Sequence, residues 1–522
     1  MTAIALDSAP TRARRAVLLA TALLGGAAVM VLELLGTRII GPYFGVSLYV
    51  WSSLIAVTMV ALAIGYYAGG WCADRAPRLR LAHLLVLAAL GTLVVPYAAA
   101  PVLAATEPLG LRAGAFASAT ILFLPPLSCL GMIGPMVIKR IAHDLGAVGT
   151  ASGTVYAVST VGSVLGTLAL GFFLLPVLGT RAILVATGVL LLVSSVVVGL
   201  CERRIPQPAV VQSLWLLGLV SGLALAAGSP ARAIGADGYA IRSEAESIYG
   251  WVRVLDDARN GVRLLLSDGS SIGAVRTGTG AAMLAYQQVL AFLPMLAHSG
   301  HAGPAREALL IGLGAGTVAS QLARHGIRTD TIEIDPAVAR AARADFGFEP
   351  NGRFLVGDAR QAVRALAGPY DLVIHDCFTG GSEPAHLLTQ EALGELRRLM
   401  RSDGILALNF VGFRAGRGAA GVAAVSATLA SRFAHQRVFV SLYDADFTDF
   451  IFLASARPIR FAPADAAQRR HLQRLERHEI APPGGGRVLT DDYNPIEYLQ
   501  AGKAERYRQL FVERVPAALL SR

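Results

Sequence analysis

Apolar residues fall in long unbroken runs through the first 228 positions and in short, bounded runs after that. Seven stretches, about 16–35, 48–70, 81–104, 113–138, 149–175, 181–200 and 208–228, approach or exceed the roughly 20 apolar residues a helix needs to cross a bilayer. The first is followed too closely by another span, and lacks a small-residue cleavage site, to be a removed signal peptide. From about Asp237 the pattern changes. Gly250 to Leu255 and Val262 to Ser267 read as strands, and Asn260-Gly261 between them is a hairpin signal. Residues 281–297 read as a helix. From Glu307 short strand-like runs alternate with helical ones, which predicts a parallel, doubly wound sheet. The chain therefore divides into a tail (1–15), a multi-pass α-helical membrane domain of about seven helices (16–228), a small β-rich lead-in (237–300) and a Rossmann-like α/β domain (301–515).

Charge sharpens the first half. Of the residues, 54% are hydrophobic and 16% charged, and the net charge is +10. The basic residues flank the apolar runs: Arg12, Arg14 and Arg15, then Arg75, Arg78 and Arg80, then Lys139 and Arg140, then Arg203 and Arg204. They alternate with loops poorer in charge, so positive-inside topology and contact with anionic lipid explain them better than nucleic acid does. The expectation is a cytoplasmic tail and a multi-pass protein of a bacterial-type inner cell membrane. Two runs decide the parity of the spans. Residues 113–138, broken by Pro125, Pro126 and Pro135, have the option of re-entering, and Ala209 to Gly228 of lying against the bundle. Seven crossings from a cytoplasmic start would place the second half across the membrane. Glu33 is expected to pair with Arg38 near the end of the first helix, and Gly41 to Gly45 to form an interfacial turn before the anchors Tyr49 and Trp51. Gly65, Gly69, Gly70, Gly153, Gly162, Gly166 and Gly171 predict close helix packing. The four cysteines, Cys72, Cys129, Cys201 and Cys377, show neither metal-ligand spacing nor a disulfide framework.

Candidate chemistry lies at four successive strand ends. Ala308 to Ile311 runs into Gly312-Leu313-Gly314-Ala315-Gly316-Thr317, where glycines let the backbone approach a ligand beside a helix N-terminus. The next strand ends at Glu333 and Asp335, about 20 positions on, where an acid accepts hydrogen bonds from ribose hydroxyls. The third ends at Gly357-Asp358-Ala359 and the fourth at His375-Asp376. Alone, each acid reads as a loop residue or helix cap; in order and in register, they predict a nucleotide site. NAD uses the same geometry.

The stretch from about Glu244 to Phe410 resembles the spermidine synthase (polyamine aminopropyltransferase) superfamily. The resemblance rests on Ser247 to Gly250, Ser267-Asp268-Gly269, the glycine loop, Ile332 to Pro336, Gly357 to Arg360 and Tyr370 to Asp376. Leu32 to Leu34, Arg38 to Gly45, Ser47 to Trp51, Gly65 to Gly70 and Leu489 to Pro495 are similar to its membrane-fused branch. The resemblance implies a fold of the S-adenosylmethionine-dependent methyltransferase type and decarboxylated S-adenosylmethionine, or S-adenosylmethionine itself, as co-substrate, with no metal. It assigns Gly312, Gly314, Gly316, Glu333, Asp335, Asp358 and Ala359 to the nucleotide, Asp376 to catalysis, and Tyr249, Asp268, Tyr286, Gln287 and Thr379 to the substrate. The implied partner is a small-molecule amine or a membrane-associated substrate, and a homodimer is allowed.

The chain departs from the family at its amine-binding acids. Thr379 stands where a second aspartate follows the catalytic one, and Ala282 and Met283 stand where an acidic pair precedes Tyr286-Gln287-Gln288. Burying an ammonium unpaired is costly, so these losses predict a less cationic acceptor, or anchoring by Asp268, Asp491 or Asp492. Those three read better as turn and surface acids. Three alternatives stand beside aminopropyl transfer: a methyltransferase acting on a membrane-associated substrate, a transporter with a regulatory nucleotide domain, and a binding module without catalysis.

Overall fold

A computed structural model describes residues 11–45, 48–76, 79–142, 145–202, 208–228, 235–236, 238–297, 305–378 and 383–512. The chain forms two compact units that divide between residues 233 and 234.

The first unit is a helical bundle: α1 (Arg12–Phe44), α2 (Leu48–Arg75), α3 (Leu81–Thr106), α4 (Gly110–Gly131), α5 (Ile133–Ile141), α6 (Val148–Leu168), α7 (Leu175–Val177), α8 (Thr180–Cys201) and α9 (Ala209–Ala227). Six helical stretches among the described residues are long and apolar enough to cross a bilayer. One of them, Leu81–Ile141, is 61 residues long and folds back on itself, because Gly91 of α3 lies against Pro126 of α4. Despite its prolines, the run 113–138 continues as α4 and α5. With α5, α4 runs alongside α2 from Arg112–Tyr49 (3.1 Å) through Gly131–Gly65 to Lys139–Asp74 (2.9 Å). The last run, α9, packs antiparallel to α8, from Trp215–Ser195 (2.9 Å) to Arg181–Gly228 (2.9 Å). Counting the folded run as two gives seven such rods among the described residues. The expected turn at Gly41 to Gly45 is instead the last turn of α1, which stops at Gly45 with φ 83°. Glu33 consequently lies about three turns inside α1 and not at its end.

Close packing follows part of the small-residue pattern. A methyl group on Gly162 would sit 1.9 Å from the Leu23 carbonyl oxygen, and one on Gly26 2.1 Å from that of Ser159, so α1 and α6 meet backbone to backbone. Gly65, Gly69 and Gly166 are similarly confined, whereas Gly70, Gly153 and Gly171 have nothing within 4 Å. Glu202, 2% exposed, accepts the backbone N–H groups of Leu81 and Ala82 (both 3.2 Å) and the Arg140 guanidinium (2.9 Å). One carboxylate thereby ties α8, α3 and α5 together.

The second unit opens with an antiparallel meander, β1 (Gly235–Ala236), β2 (Tyr239–Glu246), β3 (Trp251–Asp257), β4 (Val262–Ser267) and β5 (Ser270–Arg276), in which β3 and β4 form the hairpin expected around Asn260-Gly261. The helix expected over 281–297 shrinks to α10 (Ala285–Leu290) and a 3-10 turn containing Pro294, followed by β6 (Leu296–Ala297). Then come β7 (Glu307–Ile311), α11 (Thr317–Arg324), β8 (Arg328–Glu333), α12 (Pro336–Phe346), β9 (Phe354–Val356), α13 (Ala359–Ala365), β10 (Tyr370–His375), α14 (Gln390–Arg398), β11 (Met400–Phe413), α15 (Ala420–Ala430), β12 (His435–Val440), β13 (Phe447–Ser455), β14 (Arg460–Phe461), α16 (Ala466–Glu476), β15 (Glu479–Ile480), α17 (Ile496–Leu499) and α18 (Ala501–Val512). Eight strands make one sheet in the order β15-β12-β13-β11-β10-β7-β8-β9, with β9 to β11 parallel and the other edge antiparallel. Leu309 and Ile311 enter the core on one face while Ala308 and Leu310 enter the core on the other. Burial of both faces is why β7 is apolar without alternation. The strand order reverses between β7 and β10, the place where open α/β sheets gather ligands.

Candidate active site

The crevice forms at that reversal. Gly312, Gly314 and Gly316 adopt φ of 91°, 53° and 75°, conformations only glycine takes without strain, and α11 starts immediately after them. A Cβ on Gly312 would lie 2.2 Å from the carbonyl oxygen of Asp376, so the loop and the end of β10 touch. The lead-in meander closes the other side: a Cβ on Gly314 would meet the Ile272 carbonyl oxygen at 2.5 Å.

Glu333, buried at the end of β8, accepts the N–H of Leu313 (3.0 Å) on one oxygen and that of Asp335 (2.9 Å) on the other. Burial raises its pKa, against the pull of those backbone donors. Asp335 uses one oxygen to cap α12 at Ala337 (2.8 Å) and the other on the Ser247 hydroxyl (2.8 Å), joining the lead-in to the sheet. Asp358 caps α13 through Gln361 (2.8 Å), its other oxygen is 3.6 Å from Nε2 of His386, and Ala359 is buried at the start of that helix. Asp268 is a turn residue at φ 48° whose carboxylate accepts the Trp251 N–H (2.9 Å). Tyr249 donates its backbone N–H to the Ser247 hydroxyl (3.0 Å) and leaves its ring exposed. Thr379 lies outside the described residues.

Asp376 is enclosed at the strand end with a small part of its surface open. Its backbone N–H donates to Ile311 (2.9 Å), and one carboxylate oxygen accepts the Asn409 amide (2.9 Å) while the Tyr286 hydroxyl also bonds the carboxylate. Burial pushes its pKa up to about 6; Asn409 and Tyr286 oppose the rise, and the nearby charges of Asp449 and Glu383 add to it. The Tyr286 phenol is pushed well above its ordinary value by burial and by the Asp376 and Asp449 charges, so it stays protonated and donates. Gln287 is buried beside it, with Nε2 3.4 Å from the Tyr286 oxygen.

The sequence reading missed Asn409, Glu383, Asp449 and Lys503. Asn409 interrupts the apolar run Ile405 to Val411, a signal that was legible. Lys503 reaches the site from α18, far along the chain, and had none. Of the acids offered as replacement anchors, Asp491 is taken by Arg360 (2.6 Å) and Thr389 (2.7 Å).

Comparison with known proteins finds a domain match in the second unit. The spermine/spermidine synthase domain model matches residues 283–409. The chain carries a spermine/spermidine synthase domain. The chain is 32% identical over 281 residues to polyamine aminopropyltransferase 2 of Streptomyces coelicolor, covering 50% of this chain and 49% of that one. An N-terminal histidine N-methyltransferase of Emericella nidulans is 34% identical over 198 residues, 34% of this chain and 35% of that protein. The chain thus spans about half or less of the length of these relatives. A probable spermidine synthase from Corynebacterium glutamicum aligns with a TM-score of 0.37 at 20% identity, over 50% of this chain and 93% of that one. The spermidine synthase homologues are transferases.

Proposed function

We propose that the spermine/spermidine synthase domain transfers the aminopropyl group of decarboxylated S-adenosylmethionine to an amine acceptor, in a protein held in the cell membrane by its helical bundle. The observation that carries the reading is the Asp376 carboxylate, held by two neutral donors at a strand end whose backbone touches the glycine loop at the strand-order reversal. Glu333 would accept the ribose hydroxyls on its remaining lone pairs, and Asp358 with Ala359 would border the adenine. The amine attacks the carbon beside the sulfonium, the C–N bond forms as the C–S bond breaks, methylthioadenosine leaves, and one proton is released. With a pKa of about 6, Asp376 is ionised at neutral pH and can orient the amine, receive that proton and favour the sulfonium cation.

The match to an N-methyltransferase favours methyl transfer as the second reading. Incubating the full-length protein with either form of the nucleotide and an amine panel separates the two by mass spectrometry. Methylthioadenosine marks aminopropyl transfer, adenosylhomocysteine marks methylation, and turnover of neither overturns both. Seven traverses with the basic residues facing the cytoplasm would bring the chain out on the opposite face at Gly228. We therefore expect a reporter fused after Arg522 to score outside the cytoplasm, where the nucleotide would have to be supplied. A cytoplasmic score would mean that one rod does not cross.

A further inference from the structure

Beside Asp376 the protein has built a site for a cation and filled it with one of its own. Glu383, 3% exposed, accepts the Val411 N–H (2.8 Å) on one oxygen, and the Gln500 amide (3.2 Å) and the Lys503 ammonium on the other. Lys503 is 1% exposed, and its nitrogen lies 4.7 Å from the ring centre of Phe410 and 5.4 Å from that of Phe378, two residues past Asp376. Asp449 pairs across the sheet with Val411, close enough for its charge to act on both Lys503 and Asp376. Carboxylates with aromatic faces are what make burying an ammonium tolerable. The same surroundings would suit the far ammonium of a diamine.

We infer that Lys503 determines acceptor specificity: its ammonium occupies the second-cation position, so the acceptor brings one amine and an otherwise uncharged body. This rests on the amine-acceptor reading above. Two buried amide oxygens belong to side chains around the donors of Asp376. They are Oδ1 of Asn409, whose amide nitrogen bonds Asp376, and Oε1 of Gln287, whose Nε2 lies 3.4 Å from the Tyr286 oxygen. Both residues are more than nine-tenths buried, and both oxygens lack a partner among the described residues. Together with Asp376 they offer acceptors for the N–H groups of a single amine. Ala282 and Met283, on the approach to Tyr286, add no charge for a second.

The test is calorimetric binding of 1-aminobutane and 1,4-diaminobutane to the full-length protein in nanodiscs, with methylthioadenosine present. Wild type is expected to bind the two within about threefold of each other, and Lys503→Ala to prefer the diamine by about tenfold or more. The double variant Lys503→Ala/Glu383→Gln should lose that preference. A wild type that already prefers the diamine about tenfold, a Lys503→Ala protein that gains nothing, or binding of neither amine to any variant overturns the inference. If Lys503→Ala loses its fold, recovery of its unfolding temperature by the diamine and not by the monoamine is the same positive result, and no recovery is the negative one. Failure of the underlying reading shows separately, as absence of methylthioadenosine in the turnover assay.

Discussion

The bundle and the synthase domain each bury a carboxylate, and they treat it oppositely. Glu202 is met by a guanidinium and two backbone N–H groups, so its charge is neutralised and its work is mechanical: it joins three helices. Asp376 is met by an amide and a phenol, both neutral, while Asp449 and Glu383 crowd it with like charge. The local cation, Lys503, is engaged with Glu383. A buried acid with a cation is a fastener; one with only neutral donors keeps an elevated pKa and remains available for chemistry. Glycine divides the same way. Gly162 is small so that two helices touch, whereas Gly312, Gly314 and Gly316 are glycines because their backbone turns left-handed beside a ligand crevice.

The comparison breaks hardest at Gly162. Gly162→Val would drive a side chain into the Leu23 carbonyl, and we expect loss of folded full-length protein by fluorescence size-exclusion, while Gly153→Val, in open space, keeps its peak. An intact Gly162→Val bundle would show that α1 and α6 do not pack as described.

At the other buried acid, Asp376→Asn is expected to lower turnover by about 100- to 10,000-fold. Affinity for methylthioadenosine, which carries no sulfonium charge for Asp376 to attract, should change little. Equal loss of nucleotide binding would make Asp376 a structural residue. Glu202→Gln is expected to cost about 3 kcal/mol by stranding Arg140, read as a lower unfolding temperature in detergent at unchanged nucleotide affinity.

The smallest effect separates the two acids by pH. The folded-state pKa of Asp376 lies above its unfolded value, so the native state holds that proton more tightly. Its penalty on stability is absent below about pH 4 and complete above about pH 6, so stability from this group falls as pH rises through that window. Asp376→Asn should therefore stabilise the protein at pH 8 by about 1–2 kcal/mol, allowing for its partial access to solvent, and have little effect at pH 4. Turnover by the wild type should fall as pH drops through about 6, as the base is protonated. A stability gain equal at both pH values would mean the charge is not the cause.

The arrangement of strands was legible because its causes are local. Two-sided burial makes β7 and β10 continuous apolar runs, and acids stand at the strand ends, so the glycine loop, Glu333, Asp358 and Asp376 could be placed in order along the chain. The partners of Asp335 were less legible, since its carboxylate caps its own helix and also bonds Ser247, 88 positions upstream. The helix over 281–297 was overextended because Pro294 sits in a 3-10 turn, where a helical hydrophobic period persists without a helix.

By itself, then, the sequence determined the two-part character of the chain, the helical rods and the set of acids beside the glycine loop, since each depends on residue type within a few positions. Only the tertiary structure decided which acids are used up. Asp491 is taken by Arg360, Asp268 by the Trp251 backbone, and Glu383 by Lys503, all over separations that no local pattern reports. Whether a carboxylate is a fastener or a base depends on what stands within about 4 Å of it, and long-range folding alone sets that.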